Sequence, residues 1–282
     1  MTPWAWHPHP DVWLLIAGLG GGYAYALRRI GPRHVPAGVS PASRAQVATF
    51  SAGLLMVWVG ADWPVHDLAE SYLYSVHMTQ HLIFTLVAPP LLLLGTPAWM
   101  FRELFRSPTL FGIVRRLARP LTALVVFNAL VVVSHWPEFV DLTLRSEFAH
   151  FAAHAALFCS ALLMWCPVVA PLPELRTLSP LAQMGYLFLQ SIVPTVPASF
   201  LVFAERPIYR FYETVPRLWG LSAGEDQRIA GLIMKLVGGL LLWAVITVLF
   251  FRWHAAEEAS DRQARRWREL DRELDPTSRS QR

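Results

Sequence analysis

Residues 71–95 read Ser71-Tyr-Leu-Tyr-Ser-Val-His77-Met-Thr-Gln-His81-Leu-Ile-Phe-Thr-Leu-Val-Ala-Pro89-Pro90-Leu-Leu-Leu-Leu-Gly95. No Asp, Glu, Lys or Arg stands between Glu70 and Arg102. The same holds between Glu147 and Glu174, where His150-Phe-Ala-Ala-His154 opens a second apolar run. An uninterrupted apolar stretch of about 20 residues is what a helix needs to cross the hydrocarbon core of a bilayer. An imidazole in such a stretch is costly, so it faces the interior of a bundle and finds a partner there. At i, i+4 spacing the two rings of each pair leave the same face of their helix. Two such pairs on two helices point to a metal or haem site.

Outward from these runs the composition agrees. Of 282 residues 54% are hydrophobic and 16% charged, and the mean hydropathy is +0.38. That is the balance of a polytopic membrane protein, not of a water-soluble domain. Seven segments approach the length of about 20 residues that a span requires: 12–29, 45–62, 71–95, 119–136, 148–169, 179–203 and 228–251. Trp13, Trp58 and Trp63 mark interfaces of the first two.

Arginine orients the bundle. Arg28, Arg29, Arg33 and Arg44 follow the first segment, and Arg102, Arg106, Arg115, Arg116 and Arg119 follow the third. More lie from Arg252 to Arg282. The alternate connections carry few, and they are acidic at Asp62, Asp67, Glu70, Glu138, Asp141 and Glu147. The positive-inside rule then puts the N-terminus outside and the C-terminus in the cytoplasm, as an odd number of spans requires. The fold class expected is an all-α integral membrane protein, a seven-helix bundle over residues 1–254 with a charged cytoplasmic tail over 255–282. The pI of about 9.4 follows this topology, so no nucleic-acid partner is inferred. The N-terminus has neither a basic n-region nor an A-x-A-like cleavage site, so the first segment reads as retained.

Several smaller features carry expectations. Gly18 and Gly22 form a small-xxx-small pair that favours close helix packing. Pro89-Pro90 removes two donors and should kink or break its helix, and Pro194 and Pro197 should bend theirs. Cys159 and Cys166 sit two turns apart, about 10 Å at helical rise, too far for a disulfide; buried structural thiols are the expectation. Lys235 is expected to snorkel or to pair inside the bundle. Met1–Pro10, with His7 and His9, reads as an irregular segment at the interface, and Pro276 onward reads as disordered.

With this topology His77, His81, His150 and His154 share the outer third of the bundle. His135 ends the fourth segment, Asp226 opens the seventh, and Met234 lies two turns below it. Neutral imidazole binds copper, zinc, iron and nickel, and a thioether shifts the preference toward Cu(I). Copper is therefore chosen over zinc. Neither HxxxH carries Glu after its first His, so the base of a zinc metalloprotease is missing. The HxxHH box of membrane di-iron enzymes is absent as well. Haem ligation by one His from each helix stays open as an alternative, beside a di-iron redox protein and a metal-free scaffold.

The stretch His77-Met78-x-x-His81-Leu82, running into Ala88-Pro89-Pro90-Leu91-Leu92-Leu93-Leu94-Gly95-x-Pro97, resembles the seven-helix CtaG family, assembly factors for caa3-type cytochrome c oxidase. His135-Trp136-Pro137, His150-x-x-x-His154, Met164-Trp165-x-Pro167 and Asp226-Gln227-x-x-Ala230-Gly231-x-x-Met234 extend the likeness. The resemblance implies a multi-pass protein of the bacterial cytoplasmic membrane that matures the oxidase, with oxidase subunits and membrane lipid as partners and an extracytoplasmic copper donor. The expected ligands are His77, His81, His150 and His154, with His135, Asp226 and Met234 completing or relaying the site. No covalent chemistry is required, so the expectation is a non-enzymatic factor.

Overall fold

The structure, a computed structural model, describes residues 4–274. Met1–Pro3, from the segment expected at the interface, and Pro276 with the terminal Ser/Arg-rich stretch lie outside the described residues. Every regular element among the described residues is helical. We label the principal ones α1 (Pro10–Tyr25), α2 (Arg44–Ala61), α3 (Val65–Ser71) and α4 (Tyr74–Gly95). They are followed by α5 (Pro120–Ser134), α6 (Glu147–Val169), α7 (Pro180–Phe203) and α8 (Ala223–Asp271). Five helical stretches are long and apolar enough to cross a membrane: Arg44–Ser71, α4, α6, α7 and α8. A sixth follows if Pro108–Leu117 and α5, which meet at 73°, form one broken span. α1 falls short of that test, so the length criterion alone reaches five or six spans where the sequence pattern gave seven. The tail shows no break at residue 254: the last helix runs on through Leu274.

The double proline is absorbed rather than allowed to break α4. A five-residue π-turn, Ile83–Val87, precedes an α-helical segment, Ala88–Gly95, whose first turn holds both prolines. First-turn positions need no intrahelical donor, so proline is tolerated there. Pro89 cannot bond the carbonyl four residues back, that of Thr85, and such a buried carbonyl must be satisfied otherwise. The Trp165 indole of α6 donates to Thr85 O at 2.9 Å. A defect in one helix thus becomes a fixed joint to the next. Two further π-turns interrupt the helices at Ala26–Ile30 and Ile233–Val237. α7 is interrupted just before Thr195, at Pro194.

Glycines set α2 against α4. A Cβ on Gly95 would lie 2.3 Å from Phe50 N, and one on Gly53 would lie 2.9 Å from Leu92. Gly18 and Gly22 behave differently from expectation. Both are exposed, with no atom near their would-be Cβ positions, because α1 sits at the edge of the bundle and turns that face outward. Cys166 is buried as expected, whereas Cys159 is exposed. Lys235 is exposed on its π-turn.

The connections gather at two ends. At one, His34 pairs with Glu103 at 3.1 Å and Arg102 with Glu174 at 2.8 Å, while the Trp99 indole donates to Pro41 O at 2.7 Å. The neighbouring Arg102 guanidinium holds the Glu174 carboxyl below its ordinary range. At the other end the Trp13 indole donates to Asp62 at 2.8 Å. There the Tyr209 hydroxyl donates to His135 O and the Tyr212 hydroxyl to Ala69 O, each at 2.9 Å. The histidines collect beneath this second end.

Candidate metal centre

α4 begins abruptly. Its N-cap residue, Leu73, has no side chain able to accept from the first-turn N–H groups. The acceptor comes from α8 instead. Asp226, fully buried, takes the Tyr74 N–H at 2.7 Å and the Ser75 N–H at 3.0 Å, one on each carboxylate oxygen. A carboxylate at a helix N-terminus both caps the free donors and opposes the positive end of the helix dipole. It sets the start of α4 one turn before His77. The same Asp226 lies on a helix started by its own capping box between Ser222 and Glu225.

From this anchored start the first pair points inward. His77, His81 and His154 bring one ring nitrogen each within 4.8 Å of one another. The ring centroids lie 4.5 Å apart for His77 and His81, 5.4 Å for His77 and His154, and 4.8 Å for His81 and His154. Three imidazole nitrogens about 2.0 Å from one ion in a plane stand roughly 3.5 Å apart.

The remaining candidates surround the triad. The His150 ring is stacked on His154 at 4.4 Å, and its Nε2 lies 3.1 Å from Glu70 Oε1. His135 sits beyond His81, with ring centroids 6.1 Å apart. Its Nδ1 lies 2.7 Å from Val131 O. Donation to that carbonyl fixes the tautomer and leaves Nε2 with a free lone pair. Asp226 is committed to the α4 backbone and is not brought to the triad. Met234 is buried in the wall of a cavity on the deeper side of His81 and His135.

Three of the five imidazoles share one property. Nδ1 of His77 and Nε2 of His135 and His154 are buried with no hydrogen-bond partner among the described residues. An unsatisfied buried polar atom costs about 1–3 kcal/mol, so native structures contain few of them and rarely in one place. Together they form a donor set for a cation that prefers nitrogen.

Three contributors were not singled out from the sequence. Met78 and Met164 line the same cavity as Met234, so three methionines border it. Met78 follows His77 directly, and Met164 stands in the resembling Met164-Trp165 motif; neither position by itself signals a cavity. Glu70 was read only as a charge in a connection. Its i, i+4 relation to His66 was the available signal. Above the triad, Tyr74 lies 4.8 Å from Tyr209 and 5.1 Å from Tyr212 by ring centroids. Burial pushes the Tyr209 phenol up to about 12, so it remains a protonated donor to His135 O.

An uncharacterised protein of Mycobacterium leprae is 25% identical over 222 residues, covering 69% of this chain. The chain spans about a third of that relative's length, 32%. No solved structure matches it. The family described as cytochrome c oxidase caa3 assembly factor (Caa3_CtaG) matches residues 21–256, from α1 into the last helix, and the chain belongs to that family.

Proposed function

We propose that this protein binds copper, as Cu(I), at His77, His81 and His154 and passes it to a nascent cytochrome c oxidase. The observation that carries the reading is the convergence of the three imidazoles of His77, His81 and His154 between α4 and α6, two of which, His77 and His154, hold a buried ring nitrogen without a hydrogen-bond partner among the described residues. Three-coordinate nitrogen ligation suits Cu(I), and the three methionines of the adjoining cavity supply the soft donors that favour it over zinc. His135 borders both the triad and that cavity, which makes it the natural relay between nitrogen and sulfur ligands. Asp226 acts as a positioning residue for α4.

The same reading extends to topology. Seven spans cross the bacterial cytoplasmic membrane, α1 with its π-turn being the first. The histidine end faces outward and the arginine-rich end faces the cytoplasm, in keeping with the positive-inside rule. Residues 1–254 form the bundle and residues 255–282 a cytoplasmic extension. Copper reaches the site from an extracytoplasmic donor and leaves toward an oxidase subunit, with no covalent chemistry performed here. Haem fits the geometry less well. The four rings of His77, His81, His150 and His154 pack directly on one another, and a macrocycle needs a planar slot between its axial ligands.

Elemental analysis of the detergent-purified full chain, reconstituted with Cu(I) under reducing conditions, tests this. Near-stoichiometric copper is expected in the wild type. A His77→Ala/His81→Ala variant of unchanged helicity should lose it. Equal copper in both proteins, or none in the wild type, rejects the site.

A further inference from the structure

The histidines do not stop at the triad. His7 Nδ1 and His9 Nε2 each lie 2.8 Å from an oxygen of Asp67. The His9 ring then meets the His66 ring edge-on at 5.0 Å. His66 Nε2 is 3.4 Å from Glu70 Oε1, and the same oxygen is 3.1 Å from His150 Nε2. His150 in turn touches His77 and His154, at 5.6 and 4.4 Å between ring centroids. Side-chain exposure is 52% at His7, 24% at His66 and 35% at Glu70, and drops to 8% at His150. Imidazoles and two carboxylates therefore follow one another in contact from the surface to the buried centre.

Resting on the copper reading above, we propose that this row is the loading route: a transition-metal cation is captured near His9 and Asp67 and handed through His66, Glu70 and His150 into the triad. Three observations support it. Every step offers an imidazole nitrogen or a carboxylate oxygen, the donor types a first-row cation accepts. Glu70 bridges two histidines through a single oxygen, so the cation acquires the next nitrogen before it leaves the last. Partly exposed carboxylate and imidazole groups arranged this way also keep the ion coordinated as it leaves water, where an uncompensated charge is penalised heavily.

A competing path exists. A second cavity reaches the triad past Phe139, Val140 and Thr143. Its wall offers a cation only the hydroxyls of Ser134 and Thr143 besides the histidines, so it lacks the stepwise ligands of the first route. The row also differs from the triad in kind. Its ligand atoms meet pairwise, whereas only His77, His81 and His154 converge as a group of three among the described residues. It is built to pass a cation on, not to hold one.

The route separates rate from equilibrium, and that is the test. Full-length protein in detergent is mixed with Cu(I) held by the chromophoric chelator bicinchoninate, and loss of the chelate colour is followed by stopped flow. The variants are His66→Ala/Glu70→Gln and, at the exposed end where folding is least at risk, His7→Ala/His9→Ala. The inner pair should slow loading by about ten-fold or more and the outer pair by about three-fold, both reaching wild-type copper content at equilibrium. Glu70→Asp should recover part of the rate. Wild-type loading rates in both variants overturn the route while leaving the triad standing. Loss of equilibrium copper in His66→Ala/Glu70→Gln overturns it too, by making these residues ligands of the centre itself. Failure of the wild type to take any copper overturns the triad reading, and the route with it.

Discussion

The two histidine pairs look alike in sequence and are used differently. His77 and His81 both join the triad, while of the second pair only His154 does; His150 turns toward Glu70. The i, i+4 spacing fixes only that two rings share a helix face. Their roles depend on depth and on what the helix meets. α4 enters the bundle with its first turn clamped by Asp226, so both of its histidines lie in the interior. α6 begins further out, at Glu147, with a first turn capped by its own Ser146, which leaves His150 at the level of Glu70. The comparison teaches that a repeated i, i+4 motif on neighbouring helices is divided by depth, three rings converging and the fourth meeting a carboxylate.

Single substitutions in the second pair break this comparison most directly. His154→Ala should weaken equilibrium copper affinity by about 100-fold or more, whereas His150→Ala should leave it within about three-fold, a contrast read by chelator competition. Comparable losses in the two variants would make the pair equivalent and remove the layering. Asp226→Ala, which never touches the ion, sharpens the contrast between the helices. It removes two charge-assisted bonds from a buried helix start and should lower stability by about 3 kcal/mol in a denaturant titration. It should also weaken copper binding through His77, with Asp226→Asn recovering part of both effects. The smallest expected effect is at the joint between the two helices. Trp165→Phe keeps most of the packing but orphans Thr85 O, a cost of about 1–2 kcal/mol. Its mark should be a changed X-ray absorption spectrum of the bound Cu(I), because α6 then holds His154 less firmly against His81. An unchanged spectrum would show that packing alone sets the angle between α4 and α6.

Much of this was legible in the chain itself. Uncharged runs of spanning length with paired histidines declare a helical membrane protein with a polar interior, because a bilayer offers an imidazole no partner of its own. The resemblance in residues 77–97 and 226–234 pointed to the family that the comparison over residues 21–256 shows. Other features could not be read. Gly18 and Gly22 signal packing, yet α1 lies at the bundle edge and exposes both. Pro89-Pro90 signals a break, but a π-turn and an indole from another helix absorb it. Asp226 looks like a ligand by residue type and is a cap by position, since only the fold decides which donors a carboxylate meets first.

The sequence by itself determined the helical membrane class, the histidine-bearing faces and the end of the bundle they share, since these follow from local periodicity and from the cost of charge in lipid. Tertiary structure alone decided the rest. It chose which three histidines converge, gave Asp226 to the α4 backbone, and lined Met78, Met164 and Met234 along one cavity. Those outcomes depend on contacts between residues far apart in the chain, such as the bonds from Tyr74 and Ser75 to Asp226, and no spacing along one helix encodes which face of another it will meet.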